Sequence, residues 1–167
     1  MGEKIRQGAD LEHWAAFGDS FESMCRHIRE VGTGKHGEPP ATIVALSGDV
    51  HHAYLAEVGF PRGTGMRSTA YQATCSPFRN PLDGRERASI RFACGRAGTL
   101  VGRLLARAAG VGEPPVRWRF THEEPFFDNQ VSFLELDGRR ARMWLQKTVP
   151  GESDGYSLET VFEQQLA

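Results

Sequence analysis

A short run of polar and ionisable residues, Ser47-Gly48-Asp49-Val50-His51-His52, directly follows an apolar segment of the chain. Asp49 and His51 stand two residues apart, a spacing that can bring a carboxylate oxygen and an imidazole nitrogen within reach of one ion. Carboxylates and imidazoles are ligands of Zn, Fe, Mn and similar ions, and Gly48 allows the backbone to turn tightly. The pattern makes Asp49 and His51 the best metal-ligand candidates, with His52 as a further one.

A simpler interpretation of the same residues is structural. Asp49 can cap a turn, and His51 and His52 can form local hydrogen bonds without any ligand. The Asp-x-His spacing leaves both interpretations open.

The segment before this run is continuous and apolar, Ala41 to Leu46, which predicts a strand buried on both faces. Upstream, apolar residues recur every three or four positions from Leu11 to Val31, with Asp10 placed as an N-cap and Gly32 just past the end. A helix followed by a central strand predicts an α/β layered unit. The polar run then lies at the carboxyl end of the strand, where open α/β sheets bind their ligands.

The remaining elements follow from local patterns. Asp137-Gly138 between two apolar segments is a strong hairpin signal. A helix is expected from Arg85 to Ala109, with an irregular first half because it contains several glycines. The other predicted segments are strands at 54–58, 69–75 and 116–120, hairpin strands at 131–136 and 141–148, and a strand or helix at 156–166.

The length of 167 residues indicates a single domain that spans residues 1–167. The composition, 40% hydrophobic and 25% charged, is that of a globular protein. No apolar run approaches the ~20 residues of a membrane-spanning helix, and the start lacks the apolar stretch of a secretory signal. The chain as written is therefore expected to be soluble and cytoplasmic, with no membrane partner. Three separated cysteines favour buried free thiols over a disulfide framework or a zinc ribbon.

The charge is unevenly distributed although the net charge is −1. Residues 61–120 contain 11 arginines against 3 acidic residues, whereas 121–167 contain 4 basic and 9 acidic residues. Arginine binds phosphate and carboxylate oxygens in pairs, so the middle third suits an anionic ligand or an acidic partner. Nucleic acid binding is the weakest of these alternatives.

The string Val44 to Tyr54, with the upstream helix, resembles the C-terminal part of the PhoD-like alkaline phosphatases, within the calcineurin-like metallophosphoesterase superfamily. The strings at 75–81 and 127–130 are similar to actinobacterial-type members, and the resemblance extends over nearly all of the chain. It implies the C-terminal half of a metallophosphoesterase α/β sandwich, a mixed sheet with flanking helices and a C-terminal β-hairpin. We expect the 131–148 hairpin to extend the sheet that contains the 41–46 strand.

The resemblance also implies a function, metal-dependent phosphoester hydrolysis at a two-metal centre. The superfamily's closing motif, written G-D-x-H in this branch, places Asp49 and His51 on ligand positions. His52 has no ligand counterpart there and is expected to be a catalytic residue, beside the metals or facing substrate. The metals expected from the family are Ca, Fe, Mn or Zn, and the substrate is a small phosphoester.

The family's other ligands come from earlier motifs that do not precede Asp49 in this chain. The expectation is therefore a chain that carries only the closing motif, with the other half supplied by upstream sequence or by a second chain. Arg79 and Asn80, on a loop after a strand, are candidate phosphate contacts, although a solvated turn explains them equally well. The competing hypothesis is a non-catalytic remnant or interaction domain that self-associates through its bare sheet edge and uncovered face.

Overall fold

A computed structural model of the protein describes residues 17–79, 81–110, 112, 114–151 and 155–167. Three helices and seven strands are present in these residues. In chain order they are α1 (Gly18–Thr33), β1 (Thr42–Ser47), β2 (Tyr54–Gly59), β3 (Thr69–Thr74), α2 (Gly84–Cys94), α3 (Arg96–Ala108), β4 (Arg117–Phe120), β5 (Gln130–Asp137), β6 (Arg140–Pro150) and β7 (Tyr156–Gln165). The chain is α/β, as expected, and the segment at 156–166 is a strand.

The strands form two sheets. Four strands lie in the order β1-β3-β2-β4, with β1 parallel to β3 and the other pairs antiparallel. Among the described strands β1 pairs with β3 only, and its last three residues are exposed, with Leu46 at 68%. The prediction of a strand buried on both faces was therefore wrong. An apolar run reports strand propensity but does not report which neighbours the strand acquires.

The hairpin is confirmed, with Gly138 in the left-handed region at φ 59°. Asn or Asp followed by Gly favours such turns because glycine adopts positive φ without steric cost. The hairpin was expected to extend the sheet that contains β1, and this expectation was wrong. Instead β5, β6 and β7 form a separate antiparallel sheet.

One hydrophobic core joins the two sheets. Leu55, Tyr71 and Ala73 of the four-stranded sheet cluster with residues of the other sheet and its C-terminal extension, including Met143 and Leu166. Full burial of a side chain such as Leu55 contributes about 2 kcal/mol. The chain end is also tied back by hydrogen bonds, because the Leu166 carbonyl accepts one from the Thr42 hydroxyl at 3.2 Å.

Helix α1 packs against the other face of the four-stranded sheet, where the Phe21 ring stacks on Trp118 with centroids 5.8 Å apart. The predicted helix at 11–31 differs at both ends. Residues 11–16 and the N-cap candidate Asp10 lie outside the described residues, and Phe17 has non-helical backbone angles. The helix is capped at its C-terminal end by Gly34 (φ 81°) and not by Gly32. Gly32 lies in the last helical turn, where a Cβ on this residue would approach Met66 Cε to 2.5 Å.

The predicted helix at 85–109 is two helices, α2 and α3, separated at Gly95. The irregularity expected from the glycines is confirmed. An Asp83–Glu86 capping box starts α2, and a Cβ on Gly98 would collide with the Phe92 carbonyl, so the close approach of α3 to α2 requires glycine there. Neither helix contains a buried residue.

Candidate functional site

The loop between β1 and β2 has an unusual backbone. Asp49 (φ 68°) and His51 (φ 56°) both adopt the left-handed region. That region costs an L-residue roughly 1–2 kcal/mol, although Asp and similar short polar side chains visit it more readily than others. Two such residues within three positions need a structure that holds them, and clusters of this kind are typical of functional sites.

Ser76, directly after β3, holds this loop. Its hydroxyl oxygen accepts hydrogen bonds from the backbone N–H groups of Val50 (3.1 Å) and His51 (2.8 Å). A second tie runs between the strand ends, where the Ser47 and Thr74 hydroxyls are 2.7 Å apart. The conformation at positions 49–51 is therefore set by the neighbouring strand. This role of Ser76 was not predicted, and the position of Ser76 just after the adjacent strand is its only signal in the sequence.

Asp49 and His51 are both exposed. Their side chains are accessible to an ion or a substrate, as a ligand role requires. In the described part of the chain, however, no three His, Cys, Asp or Glu side chains are grouped closely enough to hold an ion together. The loop thus offers two donors of suitable type, short of the set that a two-metal centre needs.

His52 is half-buried and its ring is oriented by the backbone. Its Nδ1 lies 2.6 Å from the Val50 carbonyl oxygen. Because a carbonyl only accepts, Nδ1 donates the proton and Nε2 retains its lone pair. Burial lowers the pKa of His52, although the bond to Val50 acts in the opposite direction. The ring stacks on Tyr54 with centroids 5.5 Å apart, so His52 presents a neutral imidazole in a fixed orientation.

A cleft of about 430 Å³ is lined by Phe127, Arg87 and Arg91 among other residues, and His52 is not part of its lining. Its wall includes Phe127, whose ring centroid is 6.2 Å from that of His52. The guanidinium groups of Arg87 and Arg91, both from α2, lie over the same ring at 5.8 and 5.3 Å. Phe127 thus neighbours both His52 and two arginines of the basic middle third, a placement that the sequence alone does not predict.

Asp128 organises the basic side of this cleft. It forms ion pairs with Arg87 and with Lys147 of β6, the latter at 2.6 Å. Partial burial raises the pKa of Asp128, but hydrogen bonds from Lys147 and Arg87 outweigh it and the net pKa is lowered. The carboxylate therefore links α2 to the three-stranded sheet, and the cationic groups are held in place by this pairing.

The two other predicted substrate contacts are not both described. Arg79 is exposed, in the turn after the buried Pro77. It is not among the residues that line the cleft at Phe127. Asn80 lies outside the described residues. The arginine and lysine side chains that line that cleft are Arg87, Arg91 and Lys147.

His122 is a further histidine that the sequence analysis did not single out. Its Nε2 accepts a hydrogen bond from the Leu55 backbone N–H at 3.0 Å, and its Nδ1 donates to the Glu124 carbonyl at 2.7 Å. Burial lowers the pKa of His122, with the bond to Glu124 acting against it. Both ring nitrogens are thus used in holding β2 to the segment after β4, which is a structural role.

No helix in the described ranges has both the length and the apolar character needed to cross a bilayer. No family model matches the sequence, and no curated protein or solved structure matches it significantly.

Proposed function

We propose that this chain contributes Asp49 and His51 as ligands to a metal-dependent phosphoester hydrolase of the PhoD-like kind. The observation that carries the proposal is the backbone of the 48–52 loop. Two residues with ligand side chains adopt left-handed angles and are held there by Ser76. A fold that needed only a connection between β1 and β2 could place glycine at both positions without this strain.

The side chains of Asp49 and His51 are of the types that bind a transition-metal ion. A carboxylate and an imidazole together suit Zn, Fe or Mn, whereas Ca favours oxygen ligands alone. Two donors do not complete a two-metal centre, so the proposal requires further ligands from outside this loop. When bound, such ions would neutralise phosphate charge and activate water.

The chain's own residues support a phosphoester substrate beside the loop. His52 presents an Nε2 that can accept a proton. Arg87 and Arg91 supply guanidinium groups suited to phosphate oxygens, although each also pairs with a carboxylate, Asp128 or Glu124. Arg79 and Asn80 remain proposed substrate contacts.

The test is hydrolysis of p-nitrophenyl phosphate and bis-p-nitrophenyl phosphate by the purified chain with Mn, Zn, Fe or Ca, alongside calorimetric titration with Mn²⁺. Asp49→Ala and His51→Ala should each weaken Mn²⁺ binding by at least about tenfold and lower turnover in proportion. The matched controls are Asp19→Ala and His27→Ala, which change an exposed carboxylate and an exposed imidazole on α1. The wild-type chain should bind Mn²⁺ measurably through these two donors, and Mn²⁺ binding that is absent in the wild type or unchanged in both loop variants would refute the proposal.

A further inference from the structure

Gln130, the first residue of β5, carries a buried amide that bonds to two separate parts of the backbone. The residue is only 4% exposed. Its Nε2 lies 2.8 Å from the Ser76 carbonyl oxygen and 3.1 Å from the Phe126 carbonyl oxygen. Because the amide nitrogen has two hydrogens and a carbonyl oxygen only accepts, Nε2 donates one hydrogen bond to each carbonyl. One side chain therefore links two backbone positions that are far apart in sequence.

The first of these positions, Ser76, holds the middle of the 48–52 loop. The Ser76 hydroxyl oxygen accepts two backbone N–H groups of this loop, at 2.8 and 3.1 Å. The backbone of Gln130 binds the same segment, because its N–H donates to the Pro77 carbonyl at 3.1 Å. Ser76 is thus bonded to the loop through its hydroxyl and to Gln130 through its carbonyl.

The second position, Phe126, holds the C-terminal end of the loop. Ala53, the residue directly after the loop, exchanges two backbone hydrogen bonds with Phe126, at 2.8 and 2.9 Å. The Phe126 carbonyl oxygen therefore accepts from both the Ala53 N–H and the Gln130 side chain. Both attachments of the loop are consequently bonded to the same buried amide.

We infer that Gln130 is a positioning residue for the candidate metal loop. Its amide fixes Ser76 and Phe126 relative to each other, and through them it sets the backbone conformation of residues 49–53. Loss of the amide leaves buried carbonyl oxygens without this donor, so the two attachments can shift independently. The consequence for metal binding rests on the proposed function, whereas the consequence for the loop conformation does not.

Gln130→Met tests the inference, because methionine keeps the length of the side chain and removes both donated hydrogen bonds. Hydrogen exchange is measured at the amides of Val50, His51 and Ala53 in the wild type, in Gln130→Met, in Ser76→Ala and in the double variant. Gln130→Met alone should accelerate exchange at all three amides by at least about threefold. In the Ser76→Ala background it should accelerate exchange only at Ala53, because the connection to Val50 and His51 is already lost.

A glutamine that only stabilises the fold would loosen its surroundings in both backgrounds. Equal acceleration at Val50 and His51 with and without the Ser76 hydroxyl therefore overturns the inference, as does unchanged exchange in Gln130→Met. The matched control is Gln146→Met, which removes a side-chain hydrogen bond to the Thr160 hydroxyl within the three-stranded sheet. Exchange at the three amides should stay at the wild-type rates in this control, and equal acceleration there also overturns the inference.

Far-UV circular dichroism establishes that each variant is folded. Gln130→Asn takes the place of Gln130→Met if the latter does not fold. Asparagine retains an amide that is one methylene shorter and cannot reach both carbonyl oxygens, so the same exchange pattern is expected.

Calorimetric titration with Mn²⁺ provides an independent measurement. The affinity of Gln130→Met for Mn²⁺ should fall by about threefold to tenfold, less than the loss of a group that bonds directly to a metal ligand would cause. An affinity equal to that of the wild type overturns the inference and leaves the proposed function standing. A wild-type chain that binds no Mn²⁺ refutes the proposed function, and the exchange pattern then decides by itself whether Gln130 sets the loop conformation.

Discussion

The hydroxyl oxygen of Ser76 accepts the backbone N–H of His51 at 2.8 Å, across 25 residues of sequence. A residue at the end of β3 therefore determines the conformation of the loop that follows β1. The parallel pairing of these strands brings their carboxyl ends together, which makes this contact possible.

Ser76→Ala should loosen the 48–52 loop. The Val50 and His51 N–H groups lose their acceptor, and because both are exposed they can bond to water instead, so the expected cost is about 1 kcal/mol. Hydrogen exchange at these two amides should accelerate by about fivefold, the factor that corresponds to this free energy. Ser89→Ala, which removes an exposed hydroxyl from α2, is the control and should leave their exchange unchanged.

Stability should fall on acidification because of the two half-buried histidines. Burial lowers the pKa of His52 and His122 below 6.5. The unfolded chain then binds more protons than the native one below that pH. The stability that the neutral histidines contribute is fully present above pH 6.5 and is lost as the pH falls through their folded-state pKa values. Urea unfolding between about pH 8 and about pH 5 measures it.

His122→Phe separates the contribution of one histidine. At neutral pH the variant should lose about 1–3 kcal/mol, because the buried Leu55 N–H has no acceptor. Its stability should also depend less steeply on acid than that of the wild type. Ser89→Ala, which removes an exposed hydroxyl that does not titrate, is the control and should retain the wild-type pH profile. An unchanged acid slope in His122→Phe would contradict the assignment.

Asp128→Asn should weaken the attachment of α2. The variant keeps the side-chain shape and tolerates the left-handed backbone at this position (φ 77°), but it removes the charge shared by Arg87 and Lys147. The expected cost is about 1 kcal/mol. Asp137→Asn removes the more exposed ion pair with Arg140 and should lower the free energy of unfolding by only about 0.3 kcal/mol. Hydrogen exchange of α2 amides distinguishes the two variants.

The lowered pKa of Asp128 predicts a separate loss of stability in acid, at lower pH than that of the histidines. The pKa of Asp128 is lowered from 3.8 in the folded chain, so its ion pairs stabilise the fold above that pH. The contribution disappears as the pH falls through the lower folded-state value. The Asp128→Asn variant should not show this loss of stability during acid unfolding. An equal loss in the variant and the wild type would contradict the assignment to Asp128.

Alanine substitutions at Gly34 and Gly63 distinguish the cost of backbone strain from the cost of a steric clash. Gly34 (φ 81°) and Gly63 (φ 82°) have nearly the same φ, but a Cβ on Gly34 would lie 2.9 Å from the Gly37 carbonyl oxygen whereas a Cβ on Gly63 would meet no atom within 4 Å. Gly63→Ala should therefore cost about 1 kcal/mol from strain alone. Gly34→Ala should cost measurably more, by at least about 1 kcal/mol. Thermal unfolding compares them, and equal costs would contradict this interpretation.

Local features were predictable to the extent that their causes are local. The Asp137-Gly138 turn follows from glycine's freedom at positive φ, and the break near Gly95 follows from the same residue's cost within a helix. The hairpin strands were each predicted within two residues of their observed ends. The helix 11–31 was predicted less well, because apolar spacing continues across Phe17 although the backbone there is not helical.

Apolar periodicity and turn residues thus specify that strands and helices form and where most of them end, because these depend on neighbours a few positions away. Tertiary pairing alone determines that β1 pairs only with β3 among the described strands, that the hairpin belongs to a second sheet, and that Ser76 reaches the 49–51 backbone. It likewise brings Arg87 and Lys147 to Asp128. These relationships join residues far apart in sequence, and no short-range preference encodes which distant partner a strand or a carboxylate acquires.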